Sequence, residues 1–284
     1  MYSRRSFLKA GGALASGMLL GQSAFSSTNA RIKEFGLQLY SLRDDMPKDP
    51  KGILKQVASF GYKQIESFEG GQGMFWGMTN KEFKAYIDSL GMTIVSSHCN
   101  INKDFDKKAG EAAEIGMKYL ICPSIGSQKS VDDWKKIADK FNNCGEICKR
   151  NGIRFAYHNH GYTFKELDGQ MPQDLLLQNT DAALVDYQMD IYWVVTGGSD
   201  PIMWLNKYPN RFTLCHVKDR KKNAGNEGDA SVDLGTGSID YSKVLKVAKN
   251  KGMKYYIVEQ EAYENSTPLK SVAVDAEYMK KLKI

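Results

Sequence analysis

At 284 residues with 42% hydrophobic content, the chain can build a substantial core in one large domain or two small ones, and no low-complexity tract suggests disorder. Part of its formal charge of +6 sits at the very start: without Arg4, Arg5 and Lys9, 36 basic residues face 33 acidic ones. The remaining charges are scattered and form no basic-aromatic stripe, which argues against nucleic acid as a partner.

The chain opens with a leader. Ser3-Arg4-Arg5-Ser6-Phe7-Leu8-Lys9 resembles the twin-arginine export motif, and a run of Ala, Gly, Leu and Met follows to Leu20. That run is too short and too glycine-rich for a membrane span. Small residues between Ser23 and Ala30 suit cleavage. The expectation is a signal peptide over 1–30, a single domain over 31–284, a periplasmic or secreted location and no stable membrane anchor. Five cysteines, Cys99, Cys122, Cys144, Cys148 and Cys215, form no obvious disulfide framework and read as small apolar packing residues.

Beyond the leader one unit repeats. Phe35 to Tyr40 is extended, and Asp49-Pro50 opens an amphipathic helix that stops at Gly61. A glycine, an apolar or aromatic residue and then a strand recur at Gly61-Tyr62, Gly91-Met92, Gly116-Met117, Gly152-Ile153 and Gly252-Met253. This fits a left-handed residue just past each helix end. Strands are predicted at 35–40, 62–67, 93–98, 118–123, 153–158, 183–190, 212–218 and 255–261. Helices are predicted at 50–60, 80–90, 105–115, 131–150, 172–179, 200–208, 240–251 and 270–282. Pro172, Pro201 and Asp240 stand where helix starts are expected. The alternation predicts an α/β fold, a closed (β/α)8 TIM barrel. An open doubly wound sheet is the alternative, but no glycine-rich phosphate fingerprint follows the first strand.

In such a barrel, chemistry sits at the C-terminal ends of the strands. Those ends carry Glu66, His98, His158 with His160, Asp190, His216, and Glu259 with Glu261. The chain has four histidines, and all of them fall at this point of the repeat. Residues i and i+2 of a strand share a face, which aligns Asp186, Gln188 and Asp190, then Leu214, His216 and Lys218, then Ile257, Glu259 and Glu261. His158, Asp190, His216 and Glu259 make two imidazoles and two carboxylates, a plausible set for a divalent ion. Buried charges without a partner or a metal are costly, which favours the ligand reading over ordinary ion pairs.

The same residues carry a family resemblance. Gly36-Leu37-Gln38-Leu39-Tyr40-Ser41-Leu42, Tyr157-His158-Asn159-His160, Met189-Asp190-Ile191-Tyr192-Trp193, His216-Val217-Lys218-Asp219 and Val258-Glu259-Gln260 together resemble the sugar isomerase/epimerase superfamily with a xylose isomerase-like barrel. The resemblance implies a divalent metal (Mn2+, Zn2+, Co2+ or Mg2+) and a small carbohydrate substrate. Ketose-epimerase members bind the ion with Glu, Asp, His and Glu from the last four strands, and Asp190, His216 and Glu259 match that pattern. Two positions depart from it: His158 replaces the first glutamate, and Trp193 stands where many members have a histidine. Two-base epimerisation pairs two glutamates, so the first departure weighs against it. The His-for-Glu subgroup is similar to proteins that include lyases and deglycosidases of 3-keto-glycosides, some of them exported.

The expected chemistry is proton removal next to a carbonyl, with a metal stabilising the enediolate. Glu259 is the candidate base and ligand, His160 a further proton carrier, and Lys218 an oxyanion stabiliser. Glu66, His98, Trp76 and Trp193 are candidate substrate contacts, the two tryptophans by stacking on a sugar face. A lyase, hydratase or deglycosidase acting on 3-keto-glycosides is one alternative, and a non-catalytic periplasmic sugar-binding protein is another. A homo-oligomer is left open.

Overall fold

A computed structural model describes residues 31–225 and 230–284, so the predicted leader over 1–30 lies outside the described residues. Strands β1 (Gly36–Gln38), β2 (Gln64–Phe68), β3 (Thr93–His98), β4 (Tyr119–Cys122), β5 (Arg154–His158), β6 (Val185–Asp190) and β7 (Phe212–Val217) pair in parallel. A short antiparallel ribbon of β8 (Asp219–Arg220) and β9 (Ser231–Val232) follows, and β10 (Tyr255–Val258) then bridges β7 and β1 to close the barrel.

The helices are α1 (Pro50–Ser59), α2 (Asn80–Ser89), α3 (Phe105–Glu114), α4 (Val131–Arg150), α5 (Pro172–Asn179), α6 (Ile191–Thr196), α7 (Pro201–Lys207), α8 (Tyr241–Asn250) and α9 (Pro268–Lys281). Their starts follow local chemistry. Asp49, Asp200 and Asp240 cap α1, α7 and α8 with side-chain oxygens, and Thr79 and Glu82 form a reciprocal capping box on α2. The repeated glycines 61, 91, 116, 152 and 252 all have positive φ, as the helix-stop reading requires.

Three details differ from the expected pattern. Helix α6 follows β6 at once, because the Asp190 side chain accepts from Trp193 N and turns the chain. The last barrel strand ends at Val258, so Glu259 and Glu261 lie just beyond it. The β8–β9 ribbon, built on Asp219, was not foreseen either. The Asp219 carboxylate accepts from the backbone N–H groups of Gly235, Gly237 and Ile239 and so folds the long β7–α8 connection onto itself.

The barrel interior is plugged by Val95, Tyr119, Ile121, Ala156 and Leu214. A larger apolar layer, with Phe83, Trp134, Phe141 and Trp204 almost fully buried, joins the strands to the helices. Each such side chain contributes roughly 1.5–3 kcal/mol by leaving water. The β2–β3 register slips between Ile65 and Glu66, leaving Val95 as the extra residue. Bulges of this kind re-aim neighbouring side chains. Here Val95 joins the plug, while the next residue, Ser96, donates inward to Glu66 at 2.6 Å.

Candidate active site

Directly above the apolar plug lies a buried polar layer organised by Glu66. Its Oε1 accepts from Gln38 Nε2 at 2.8 Å and His216 Nε2 at 2.6 Å, and its Oε2 accepts from Ser96 Oγ at 2.6 Å and Gln188 Nε2 at 2.8 Å. Burial pushes the Glu66 carboxyl up, but the neighbouring His98 and His216 outweigh it and hold the group well below its usual range. Because the Gln188 amide is committed to Glu66, its Oε1 must accept on the other side. It takes His98 Nε2 at 2.8 Å and His158 Nδ1 at 3.1 Å. The His158 proton is thereby fixed on Nδ1, and Nε2 turns its lone pair towards Asp190 Oδ2, 3.8 Å away. Burial, reinforced by the neighbouring His216, keeps the His158 ring neutral, its pKa well below the usual value.

His216 is arranged in the same sense. Its Nε2 faces Glu66, while Nδ1 lies 3.1 Å from Glu259 Oε2 and 3.7 Å from Asp190 Oδ2. Burial alone pulls this ring down, but the Glu259 and Glu66 charges raise it well above the ordinary histidine value. Burial pushes Glu259 up in turn, yet His216 and then Lys218 bring it to about 2. Asp190 spends Oδ1 on capping α6, and its backbone is clamped by Asn159 through both N–H and C=O. Asp190 Oδ2 is left buried with no hydrogen-bond donor.

That bare acceptor tests whether a cation fits. Asp190, His216 and Glu259 each offer one ligand atom, all within 4.8 Å of one another, and His98, His158 and His216 form a second such group. Mixed imidazole and carboxylate donors, with the opposite nitrogens tied to Glu66 and Gln188, are the arrangement a divalent ion takes.

The remaining candidates are distributed around this cluster. His98, His158, His160 and Glu259 line one cavity of about 260 Å³, together with Tyr40, Pro123, Ser124 and Glu261. Asp190, His216 and Glu66 are fully buried beneath it. His160 stacks flat on Tyr162 and packs against Trp193, and its Nδ1 has no partner. Burial lowers the His160 pKa to about 4.

Lys218 is fully buried: its Nζ lies 2.7 Å from Glu261 and 3.9 Å from Glu259, over the rings of Tyr192 and Trp193. Tyr241 OH bonds both its backbone N–H and C=O, which holds this lysine inward. Trp193 thus forms a wall between His160 and Lys218. Trp76 stands apart from the cavity, packed behind Phe68 with its Nε1 on Ser67 Oγ.

Two residues given no role from the sequence belong here. Glu261 faces the cavity two residues after Glu259, a spacing that strand parity had already aligned. Burial and the Glu259 charge push its carboxyl up to about 7. Tyr40, 39% exposed, sits at the cavity rim, and nothing in its local pattern distinguished it from other strand-end aromatics.

Residues 54–282 match the xylose isomerase-like TIM barrel family model, which covers most of the chain. The chain belongs to this family. Residues 1–21 match the twin-arginine translocation signal sequence. Among solved structures, this xylose isomerase-like barrel is similar to a sugar phosphate isomerase/epimerase from Parabacteroides distasonis. The identity is 29%, the TM-score 0.78, and the coverage 88% of this chain and 98% of that one. It shares its fold with the zinc-bound IolI protein at TM-score 0.71 and 14% identity, over 86% of this chain and 95% of that one. An inosose dehydratase from Clostridium beijerinckii is 30% identical over 145 residues, 46% of this chain and 48% of that relative. The chain therefore spans about half the length of this curated relative. Among the described residues no helix is long and apolar enough to cross a membrane.

Proposed function

We propose that this protein is an exported, metal-dependent enzyme that removes a proton next to the carbonyl of a polyhydroxylated substrate and expels the oxygen on the neighbouring carbon. One observation favours elimination over two-carboxylate epimerisation. Among the described residues lining the small cavity, the two carboxyl groups, Glu259 and Glu261, come from the same strand end. The other titratable side chains that line it besides Tyr40 are histidines, His98, His158 and His160. A base and an acid on one face suit removal of a proton and return of a proton to a departing oxygen on that same side. The 30% identity to an inosose dehydratase points the same way.

In this reading Glu259, kept ionised by His216 and Lys218, takes the proton. Glu261 is within reach to protonate the leaving oxygen. Lys218, paired with Glu261 and close to Glu259, fixes the position of both carboxyls. His160 lines the same cavity with an unpartnered Nδ1 and is the second proton carrier. His158, Asp190, His216 and Glu259 would hold a divalent ion, which would supply Lewis-acid polarisation of the substrate. Zinc in the related IolI fold makes that ion one of the first to try, beside Mn2+, Co2+ and Mg2+. The twin-arginine signal supports action in the periplasm or beyond.

Sugar isomerisation or epimerisation is the second reading. It is favoured by the full-length similarity to the Parabacteroides isomerase/epimerase. Incubating metal-loaded protein in D2O with free sugars, inososes, keto-sugars and their glycosides separates the two by NMR and mass spectrometry. Elimination gives loss of water or an alcohol; epimerisation gives deuterium at carbon with no loss. Full turnover after complete metal removal overturns both readings, and metal-tight binding of sugars without turnover identifies a binding protein.

A further inference from the structure

The small cavity opens into a larger one. The two share Tyr40, His98, Pro123 and Ser124, so they form a single space with two lobes. The lobe beside the cluster measures about 260 Å³, and the second about 460 Å³. Pockets for compact organic ligands typically run from about 300 to 1,000 Å³. One polyhydroxylated ring against the cluster therefore leaves the larger lobe empty.

The wall of that lobe has its own chemistry. Tyr40, Phe68, Ile101 and Pro123 line it with the buried thiols of Cys99 and Cys122. The charged side chain on this wall, Glu69, is already committed, accepting from Asn100 N and Lys108 Nζ at 2.7 Å each. A phosphate or carboxylate would find no unpaired cation there. Instead the wall is an aromatic series: Tyr40 meets Phe68 edge-on at 5.2 Å, and Phe68 meets Trp76 edge-on at 5.0 Å.

The last ring in that series is held at a cost. Trp76 has φ +57, the left-handed region, and is pinned by its bond to Ser67 Oγ. A bulky residue in that region is a genuine outlier, and such strain persists where the surroundings over-determine it, often at ligand clamps. At the other end Tyr40 remains 39% exposed, with part of its ring free.

We propose that the larger lobe is a subsite for a flat aromatic group attached to the substrate ring, so that the preferred substrate is an aryl glycoside rather than a free sugar. This rests on the reading that a polyhydroxylated ring occupies the smaller lobe. Tyr40 and Phe68 supply the stacking and edge contacts, Trp76 buttresses Phe68 from behind, and Ile101 and Pro123 close the pocket. The subsite decides which substituent is accepted, while the cluster decides which bond reacts.

The test is calorimetric binding of the 3-keto derivatives of 4-nitrophenyl and methyl β-D-glucopyranosides to the metal-loaded protein. The 4-nitrophenyl compound is expected to bind at least about tenfold tighter, equivalent to about 1.4 kcal/mol. Ile101→Trp, which fills the lobe, and Tyr40→Ala, which removes an exposed ring without disturbing the core, should each abolish that preference and leave metal content unchanged. Equal affinities, no detectable binding of either glycoside, or a preference untouched by both variants overturns the subsite. Aglycone release and solvent-deuterium incorporation, measured on the same samples, report the proposed reaction separately. Reaction without aryl preference sinks the subsite alone, whereas aryl preference with neither release nor incorporation supports the subsite and sinks the reaction.

Discussion

Glu66→Gln tests how the site is held together. The glutamine keeps an oxygen that can still accept from Gln38 and His216, but its NH2 group then faces Ser96 Oγ and Gln188 Nε2. Ser96 can rotate its hydroxyl and accept. Gln188 can relieve the donor–donor clash only by flipping, and that presents its NH2 to His158 Nδ1 and His98 Nε2. His158 Nδ1 would then accept, its proton would move to Nε2, and the lone pair now aimed at Asp190 Oδ2 would be lost.

Without the flip, a buried donor is stranded at about 1–3 kcal/mol. Removing an outer partner of a metal-binding histidine typically costs 10–100-fold in metal affinity, or about 1.4–2.8 kcal/mol. The expected result is a metal affinity lowered by about that factor, together with a change in the His158 tautomer. Competition against a chromogenic chelator measures the first, and nitrogen chemical shifts of labelled histidine measure the second. An affinity within twofold of the parent, with the His158 tautomer unchanged, would refute the reasoning.

Four other outcomes are expected. Glu259→Gln should abolish turnover while keeping part of the metal affinity, since the amide retains an oxygen donor but is no base; turnover near the parent rate would remove Glu259 from the chemistry. Asp275, 1% exposed on α9, has its carboxyl raised well above the usual range by burial, against the opposing hydrogen bond from Leu234 N and with Asp233 and Asp219 nearby. A raised acid stabilises the fold below its unfolded value of about 3.9 and loses that contribution as pH climbs; the melting temperature of Asp275→Asn should therefore gain on the parent between pH 4 and pH 8, and a constant difference would contradict this. Gly145→Ala places a Cβ 2.7 Å from Leu184 Cβ and 2.8 Å from its carbonyl oxygen, so urea unfolding should show a loss of about 1–3 kcal/mol. Replacing Arg4 and Arg5 by lysine should leave the protein inside the cell, and unchanged recovery from the periplasm would show another export route.

The barrel was legible because its signals are local. Five helix stops use a left-handed residue, and a glycine supplied it at each of those repeated positions. Strand parity then placed His158, Asp190, His216 and Glu259 on one mouth. What stayed hidden depends on long-range register. Ile191 to Thr196 is β-branched and aromatic enough to read as more strand, yet Asp190 caps it into a helix. Strand parity aligned Lys218 with His216, but the bonds from Tyr241 on α8 that hold it there are long-range. Glu66 was expected to contact substrate at the mouth but lies fully buried beneath the cavity, where its role depends on the slip at Ile65/Glu66 and on Gln188, which lies 122 positions away.

The cluster's charge gives those buried positions a common cause. Glu66, Asp190, Glu259 and Glu261 place four carboxyl groups around one ammonium, Lys218, and one imidazolium-prone ring, His216. Burying carboxylates without compensation costs several kcal/mol each, so the surplus of negative charge requires a partner. The layer below meets the requirement for Glu66 through four hydrogen-bond donors, and Lys218 meets it for Glu261. Asp190 Oδ2 receives no such donor, although Asn159 and the α6 cap hold Asp190 rigidly, whereas Glu259 Oε2 lies 3.1 Å from His216 Nδ1. A rigid, unsatisfied acceptor beside two histidine nitrogens is costly as a structural element alone. A divalent cation there would supply the missing partner, so metal content is the first variable to control in assays of this protein.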